Sequence, residues 1–512
     1  MPMQTSRPRT ALPATLWTTR LERGAGVPLS RQLAAALRTA LSERQIDAGA
    51  RLPSTRALAR ELGLARSTVV GVYEQLAAEG YIAGKPGSGY LAAASLAERG
   101  PLRPPEATAA PRPLSRRAER LRGYVPEARG APRPFQMGYA EIDPRFVATW
   151  KRLAGRVLSG RSRIEWNYGD PQGDPGLRGA VADYLAVARG VRCRPEQIVL
   201  TSGTQQGLSL TAQVLLDPGS TTWVEDPCYH AAVDILRAAE ARIVPVPVDD
   251  DGLDLAAGLR GVADVPRLVY VTPSRQYPLG MAMPLARRAA LLDWAARDDV
   301  WLVEDDYESE FQAPGRMLPS LQGLDRAGRV IYLGTFSKLL FPSLRLGYAV
   351  LPPDLVAPFA AARHLADRQS SALIQAIMLE FMLDGHFARH LKRMRARYAE
   401  RQRFLVERVR RKLDGVLEIR PVDSGMYLTA WLPPGWSDSA VAMALAEAGV
   451  AALPLSALTL ETPRRPGLVL GYTGHNEAAT TRAVDIMTDV LHRPTGLFTL
   501  SKADLRADRL RA

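Results

Sequence analysis

Apolar positions along the chain follow two different rhythms. In the first ninety residues they recur every three or four positions. Leu29, Leu33, Ala36, Leu37 and Leu41 place a helix within Pro28–Ile46. A shorter helix is expected over Arg56–Leu62, opened by Ser54 as N-cap and closed by Gly63, with another over Ser67–Glu79. Leu58, Leu62, Val69, Tyr73 and Leu76 repeat at helical spacing and are read as core. Two short strand-like pieces then flank a Gly/Pro/Lys turn in YIAGKPGSGYLAA. From Phe135 the rhythm changes. Seven apolar runs (QIVLTSG, TTWVEDP, ARIVPVPV, PRLVYVTP, VWLVEDDY, RVIYLGT, RLGYAVL) are spaced by helical stretches such as LSLTAQVLLD and LARRAALLDWAARD. Strand–helix alternation of this length predicts an α/β domain with a largely parallel sheet, whose ligands sit beyond the carboxyl ends of the strands. Between the two parts, Ser95–Pro134 holds eight prolines and no sustained apolar period, so it is read as a semi-extended tether. Its SRRAERLRG piece is read as solvated basic linker, a short helix or a phosphate contact being the alternatives.

Length and composition add boundaries to this outline. A chain of 512 residues exceeds one ordinary hydrophobic core, so at least two domains are expected. No apolar run approaches the ~20 residues that span a bilayer, and MPMQTSRPRT lacks the apolar core of a secretory signal, so no membrane association is expected. Cys193 and Cys228 are too few for a disulfide framework, which makes the cytoplasm the default location; the six scattered histidines suggest no metal site. Charge is unevenly spread. Residues 1–134 carry 21 Lys+Arg against 10 Asp+Glu, a net +11 of the chain's total of +13. A basic head on a nearly neutral body is the footprint of a polyanion-binding module joined to something else.

The head's two short helices and tight turn form the helix-turn-helix pattern, in which the second helix enters the major groove. With the Gly-rich hairpin that follows, LPSTRALARELGLARSTVVGVYEQLAAEGYI resembles the GntR-type winged helix. The resemblance implies double-stranded DNA as partner. Arg56 would grip a phosphate, Arg66, Ser67 and Thr68 would open the recognition helix against phosphates and base edges, and Lys85 and Gly87 would form the wing.

In the body, unusual residues gather at strand ends. Thr201–Gln205 place small residues and hydroxyls at a strand-to-helix turn, a setting that suits an anion. Tyr229 in WVEDPCYH is either a stacking aromatic or a packed loop residue. Glu304, Asp305 and Asp306 end another strand. Three buried carboxylates would repel, so some are expected to face solvent and one to meet a cation. Lys338, alone in the apolar run TFSKLLFPSLRLG, has a setting that lowers an amine's pKa and favours Schiff-base chemistry, and Arg345 offers a bidentate phosphate grip.

A phosphate cup, a stacking ring, a carboxylate, a phenol and an amine together suit pyridoxal 5′-phosphate (PLP). In their order these motifs resemble a fold type I aminotransferase from about Phe135 to Leu491. The resemblance implies that Lys338 forms a Schiff base with PLP, Asp305 pairs with the ring nitrogen, Tyr307 bonds the ring oxygen and Tyr229 stacks on the ring. Gly203, Thr204, Gln205, Thr335, Ser337 and Arg345 would hold the phosphate, and Tyr168 would reach the phosphate of the other subunit in a homodimer.

Head and body together are similar to the MocR-type regulators, especially in EDDYESEF, TFSK and TPSRQYPLG. The implied domains are a winged helix over 1–94, a linker over 95–134, an aminotransferase-like body with a smaller C-terminal α/β part over 135–495, and a tail over 496–512. The implied function is a PLP-binding transcriptional regulator with at most weak transaminase activity, the alternative being a working aminotransferase with a DNA-binding head. One departure bears on the effector. No arginine stands between Arg465 and Arg482, where aminotransferases hold the substrate carboxylate, and none just after Tyr229. That lowers the expectation of an amino-acid effector and raises that of PLP itself or an amine. Arg275 is a candidate displaced anchor, and His230 and His475 are read as solvent-facing loop residues.

Overall fold

The computed structural model describes residues 21–43, 45–85, 89–93, 113–121, 132–160, 164, 166–261, 264–312, 318–423, 425–461, 465–493 and 498. Gly87 lies outside the described residues. The chain divides into two compact units, Met1–Pro113 and Leu114–Ala512.

In the first unit, α1 (Leu29–Ser42), α2 (Thr55–Leu62) and α3 (Arg66–Ala78) precede the antiparallel pair β1 (Ile82–Lys85) and β2 (Gly89–Ala92). Local chemistry sets the turn between α2 and α3. Ser54 Oγ accepts from the Ala57 amide at 3.2 Å, and Gly63 stops α2 at φ +61°. Leu33, Leu37, Leu58, Val69, Tyr73 and Leu76 close over one core, with Leu62 half-buried at its edge. The Tyr73 hydroxyl donates to the Pro53 carbonyl at 3.0 Å, so this buried phenol is satisfied.

All seven expected strands of the body are present: β3 (Ile198–Thr201), β4 (Thr221–Asp226), β5 (Arg242–Asp249), β7 (Leu268–Val271), β8 (Trp301–Asp306), β9 (Val330–Thr335) and β10 (Gly347–Val350). With the two-residue β6 (Gly252–Leu253) they form an eight-stranded sheet in the order β3-β10-β9-β8-β7-β4-β5-β6. Pairing is parallel from β9 through β8, β7 and β4 to β5, while β10 runs antiparallel between β3 and β9. The carboxyl ends of β3, β9, β8, β7 and β4 therefore share one rim with the start of β10. A smaller antiparallel sheet, β11 (Glu418–Ile419), β12 (Tyr427–Trp431), β13 (Leu453–Pro454) and β14 (Gly467–Gly471) in the order β11-β12-β14-β13, belongs to the C-terminal part. Phe498 packs on Trp436 there, ring centroids 5.4 Å apart; the rest of the expected tail lies outside the described residues. In the proline-rich stretch, Arg116–Leu121 is a short helix rather than solvated linker, and Arg117 faces Glu240 at 3.6 Å.

The reading of the three carboxylates is corrected. Glu304, Asp305 and Asp306 are 0%, 5% and 2% exposed, so none faces solvent. Repulsion is relieved because strand geometry sends Glu304 and Asp306 to one side of the sheet and Asp305 to the other. Asp306 accepts from Arg189 Nε at 2.7 Å and from the Tyr332 hydroxyl at 2.6 Å. Glu304 accepts the Leu321 and Gln322 amides at 3.0 and 2.9 Å, at the start of a short helix capped by Ser320. Replacing Arg189 by Leu strands Asp306 as an unpaired buried charge. Chemical denaturation is expected to show a loss of about 3–5 kcal/mol, smaller when Asp306→Leu is combined with it; additive losses contradict the pairing.

Candidate functional site

The rim of the large sheet surrounds a cavity of about 340 Å³. Each strand end contributes. Thr204 and Gln205 come from the turn after β3, Tyr229 from that after β4, Thr272 and Tyr277 from that after β7, and Asp305, Tyr307 and Glu308 from β8 and its exit. Thr335, Ser337 and Lys338 come from the end of β9, and Arg345 from the turn into β10. β12 and the residue before it add Tyr427 and Met426.

Nine of the residues singled out in the sequence thus meet around one space: Lys338, Asp305, Tyr307, Tyr229, Thr204, Gln205, Thr335, Ser337 and Arg345. Gly203 stands directly behind Arg345. Its φ is +103°, and a Cβ there would sit 3.3 Å from Arg345 Nη1, so a side chain would compete with the guanidinium for its place. Arg345 itself is held at φ +49°, a left-handed backbone that disfavours side chains. Tyr168 does not join this group. It is 77% exposed, lies under the Arg368 guanidinium at 4.3 Å, and lines a separate surface groove with Trp166, Asn167 and Gln369.

The electrostatics are unusual for a protein interior. Asp305 is pushed up to about 7 by burial, against which the Tyr270 hydroxyl, 2.6 Å from its Oδ2, and the charge of Lys338 pull it down. Its Oδ1 is buried with no hydrogen-bond partner among the described residues. The same holds for Ser337 Oγ, also on the cavity wall. Unsatisfied buried acceptors and hydroxyls are costly, so two beside one lysine mark places for ligand atoms. PLP fits this donor set: a protonated ring nitrogen satisfies Asp305 Oδ1, and its phosphate suits Ser337, Thr335, the amides opening helix Thr204–Leu215, and Arg345.

Sequence reasoning missed Tyr270, Thr272, Tyr277, Glu308 and Tyr427. Tyr277 is central, its ring edge-on to those of Tyr229, Tyr307 and Tyr427 at 5.7, 5.9 and 5.4 Å. The Tyr307 hydroxyl donates to the Arg275 carbonyl at 3.1 Å and also bonds the Tyr427 hydroxyl. TPSRQYPLG and EDDYESEF did hold Tyr277 and Glu308 in view. Arg275 is not an open anchor. It is 3% exposed and its Nε donates to Glu308 Oε1 at 2.5 Å. His230 and His475 are half-buried rather than solvent-facing, and burial lowers both.

In the head, Arg56, Arg66, Ser67 and Lys85 are exposed and Thr68 is half-buried. No side chain caps the start of α3, which leaves its first amides open to a phosphate oxygen. These residues cluster at the start of α2, the start of α3 and the wing, the edges that a groove-docked helix presents.

Residues 145–486 match the aminotransferase class I and II family, and residues 29–91 the gntR family of bacterial regulatory proteins. The probable rhizopine catabolism regulatory protein MocR of Rhizobium meliloti is 41% identical over 89% of this chain and 92% of its own length. The pyridoxine biosynthesis transcriptional regulator PdxR of Corynebacterium glutamicum is 30% identical over 87% and 92% respectively. Among solved structures, LysN, the α-aminoadipate aminotransferase of Thermus thermophilus bound to N-(5′-phosphopyridoxyl)-L-leucine, superposes with a TM-score of 0.65. It is 29% identical and covers 71% of this chain and 92% of its own.

Buried carboxylates give the body a testable pH response. Burial lifts Glu225, Glu304 and Asp305 to about 7 and Glu310 to about 8, so the folded chain holds protons that the unfolded chain has lost above about pH 5. Stability from these groups falls as pH rises through their folded values. The lowered His230, His390 and His475 act oppositely, but only up to about pH 6.5. The melting midpoint of cofactor-free protein is expected to fall between about pH 6.5 and 8.5, less steeply in Asp305→Asn; a rising midpoint contradicts this.

Proposed function

The chain belongs to the MocR-type transcriptional regulators, GntR-family heads joined to an aminotransferase-like domain, and on that premise we propose how its parts divide the work. It is a PLP-binding, DNA-binding regulator. The head reads an operator, and occupancy of the body's cavity biases that reading. One observation carries the assignment of roles: Asp305 Oδ1 and Ser337 Oγ, both buried and unpartnered, on the walls of the cavity that Lys338 enters.

PLP supplies, when bound, a carbonyl carbon that reacts with amines and a ring that withdraws electrons from it. Lys338 offers its amine to that carbon. Asp305, on the far wall, stays ionised opposite a ring N–H, and Tyr270 fixes the orientation of its carboxylate through the 2.6 Å bond. Ser337, Thr335, Thr204, Gln205, Gly203 and Arg345 hold the phosphate, with Arg345 as its fixed counter-charge. Tyr229 covers one face of the ring, and Tyr307 orients the ring oxygen. Domain limits of 1–94, 95–134, 135–495 and 496–512 remain our working division.

The assembly is a homodimer in which Tyr168 reaches the partner's cavity. In support, Trp166 and Tyr168 are 73% and 77% exposed side by side, a large aromatic surface for a free monomer. A two-fold assembly presents two heads to two half-sites. Arg56, Arg66, Ser67, Thr68 and Lys85 contact the duplex, and Gly87 lets the wing approach it closely. Two ligand classes suit the body: PLP itself, in line with the named role of the Corynebacterium relative, and a small amine or amino acid. Turnover is weak, because no arginine stands between Arg465 and Arg482 to hold a substrate carboxylate.

Purified protein loaded with PLP is expected to show a visible absorption band that borohydride reduction fixes to Lys338 and that Lys338→Ala abolishes. A band of equal intensity in Lys338→Ala rejects the role of this lysine. Operator affinity is expected to fall steeply with salt, and Arg66→Ala to reduce the slope of log K against log[salt] by about 1. Affinity independent of salt rejects the groove-docked head.

A further inference from the structure

The half of the cavity away from the phosphate cup has its own chemistry. Lys338 and Arg345 are the only cations on the wall among the described residues, and the cofactor reading commits both. What remains is acceptor-rich and aromatic: the carboxylate of Glu308 and the rings and hydroxyls of Tyr277, Tyr307 and Tyr427, with Met137 and Met426 between them.

The nearest further guanidinium, Arg275, stands behind this wall rather than on it. Its Nε donates to Glu308 Oε1 at 2.5 Å, its Nη2 to the Tyr427 carbonyl at 2.7 Å, and its plane lies 4.8 Å from the Tyr427 ring centroid. The other Glu308 oxygen accepts the Met426 amide at 3.2 Å. Gly425 closes over this pair at φ +105°, where a Cβ would fall 2.5 Å from Arg275 Nε, so the backbone holds the ions together and leaves no room to part them. Arg275 is neutralised in place.

A ligand carboxylate entering here meets Glu308 at close range in a buried space, with no uncommitted cation to receive it. An ammonium meets the opposite sign, and hydroxyl groups find phenol and carboxylate partners. We propose that the ligand recognised beside the cofactor is a primary amine carrying hydroxyl groups and lacking a carboxylate. This rests on the cofactor reading of Lys338, Asp305 and Arg345. Glu308 is the residue that sets the class, by exposing a carboxylate to the cavity while holding Arg275 away from it.

Calorimetric titration of full-length, PLP-loaded protein with two matched pairs tests this. The pairs are serinol against serine, and 2-aminocyclohexanol against 2-aminocyclohexanecarboxylate. Within a pair only the carboxylate is exchanged for an alcohol. At least one alcohol is expected to bind at least about tenfold more tightly than its acid, the size of a single charge-assisted hydrogen bond. Glu308→Gln frees the Arg275 charge and is expected to shrink or reverse that ratio. Absence of an alcohol preference in both pairs overturns the proposal, whether or not Glu308→Gln folds. Failure of the protein to develop the lysine-dependent visible band signals a different failure, that of the cofactor reading itself.

Discussion

A buried carboxylate without a protein cation is the constraint around which the body is arranged. β8 lies in the middle of the sheet and every one of its residues is buried, yet its last three are acidic. Alternation along the strand separates the problem into two. On one face Glu304 and Asp306 are satisfied by backbone amides, Arg189 and Tyr332, and serve as internal fastenings between the sheet and its flanking segments. On the other face Asp305 receives only the Tyr270 hydroxyl and keeps one oxygen unpaired. The fold tolerates that cost at one place, and the cavity opens there.

The rest of the site follows from sheet topology. Because β3, β4, β7, β8 and β9 point the same way, loops far apart in sequence converge on one rim. The antiparallel β10 returns Arg345 to the same rim, where left-handed backbone aims its guanidinium at Gly203. Cations and anions are dealt out unequally around this space: Arg345 at one end, Lys338 and Asp305 in the middle, and the Arg275–Glu308 pair turned with its negative partner inward at the other. The division into a phosphate end, a reactive middle and a selective end is a consequence of which charges the interior leaves uncompensated.

Much of this was legible in the sequence, and the omissions share a cause. Seven strands announced themselves as apolar runs, and the strand-end motifs carrying Lys338, Asp305 and Arg345 predicted a common rim. The four-stranded C-terminal sheet did not, because strands of two to five residues leave too little alternation to separate from helix or loop. Tyr427 was lost with it. The burial of all three carboxylates was misjudged since their partners are remote: Arg189 lies 117 residues from Asp306. Arg275 was visible as an oddity, but only the structure reveals Glu308 and Gly425 around it. Local pattern reports elements, whereas charge compensation is settled by non-local contacts.

The central claim is that one chain couples the state of this cavity to reading of DNA by the head. The most direct measurement is operator affinity of full-length protein, stripped of cofactor and then reloaded with PLP, in the wild type and in Lys338→Ala at fixed salt. A change in affinity or footprint is expected on loading the wild type and none in the variant. Identical operator binding by the stripped and loaded wild type would contradict the coupling.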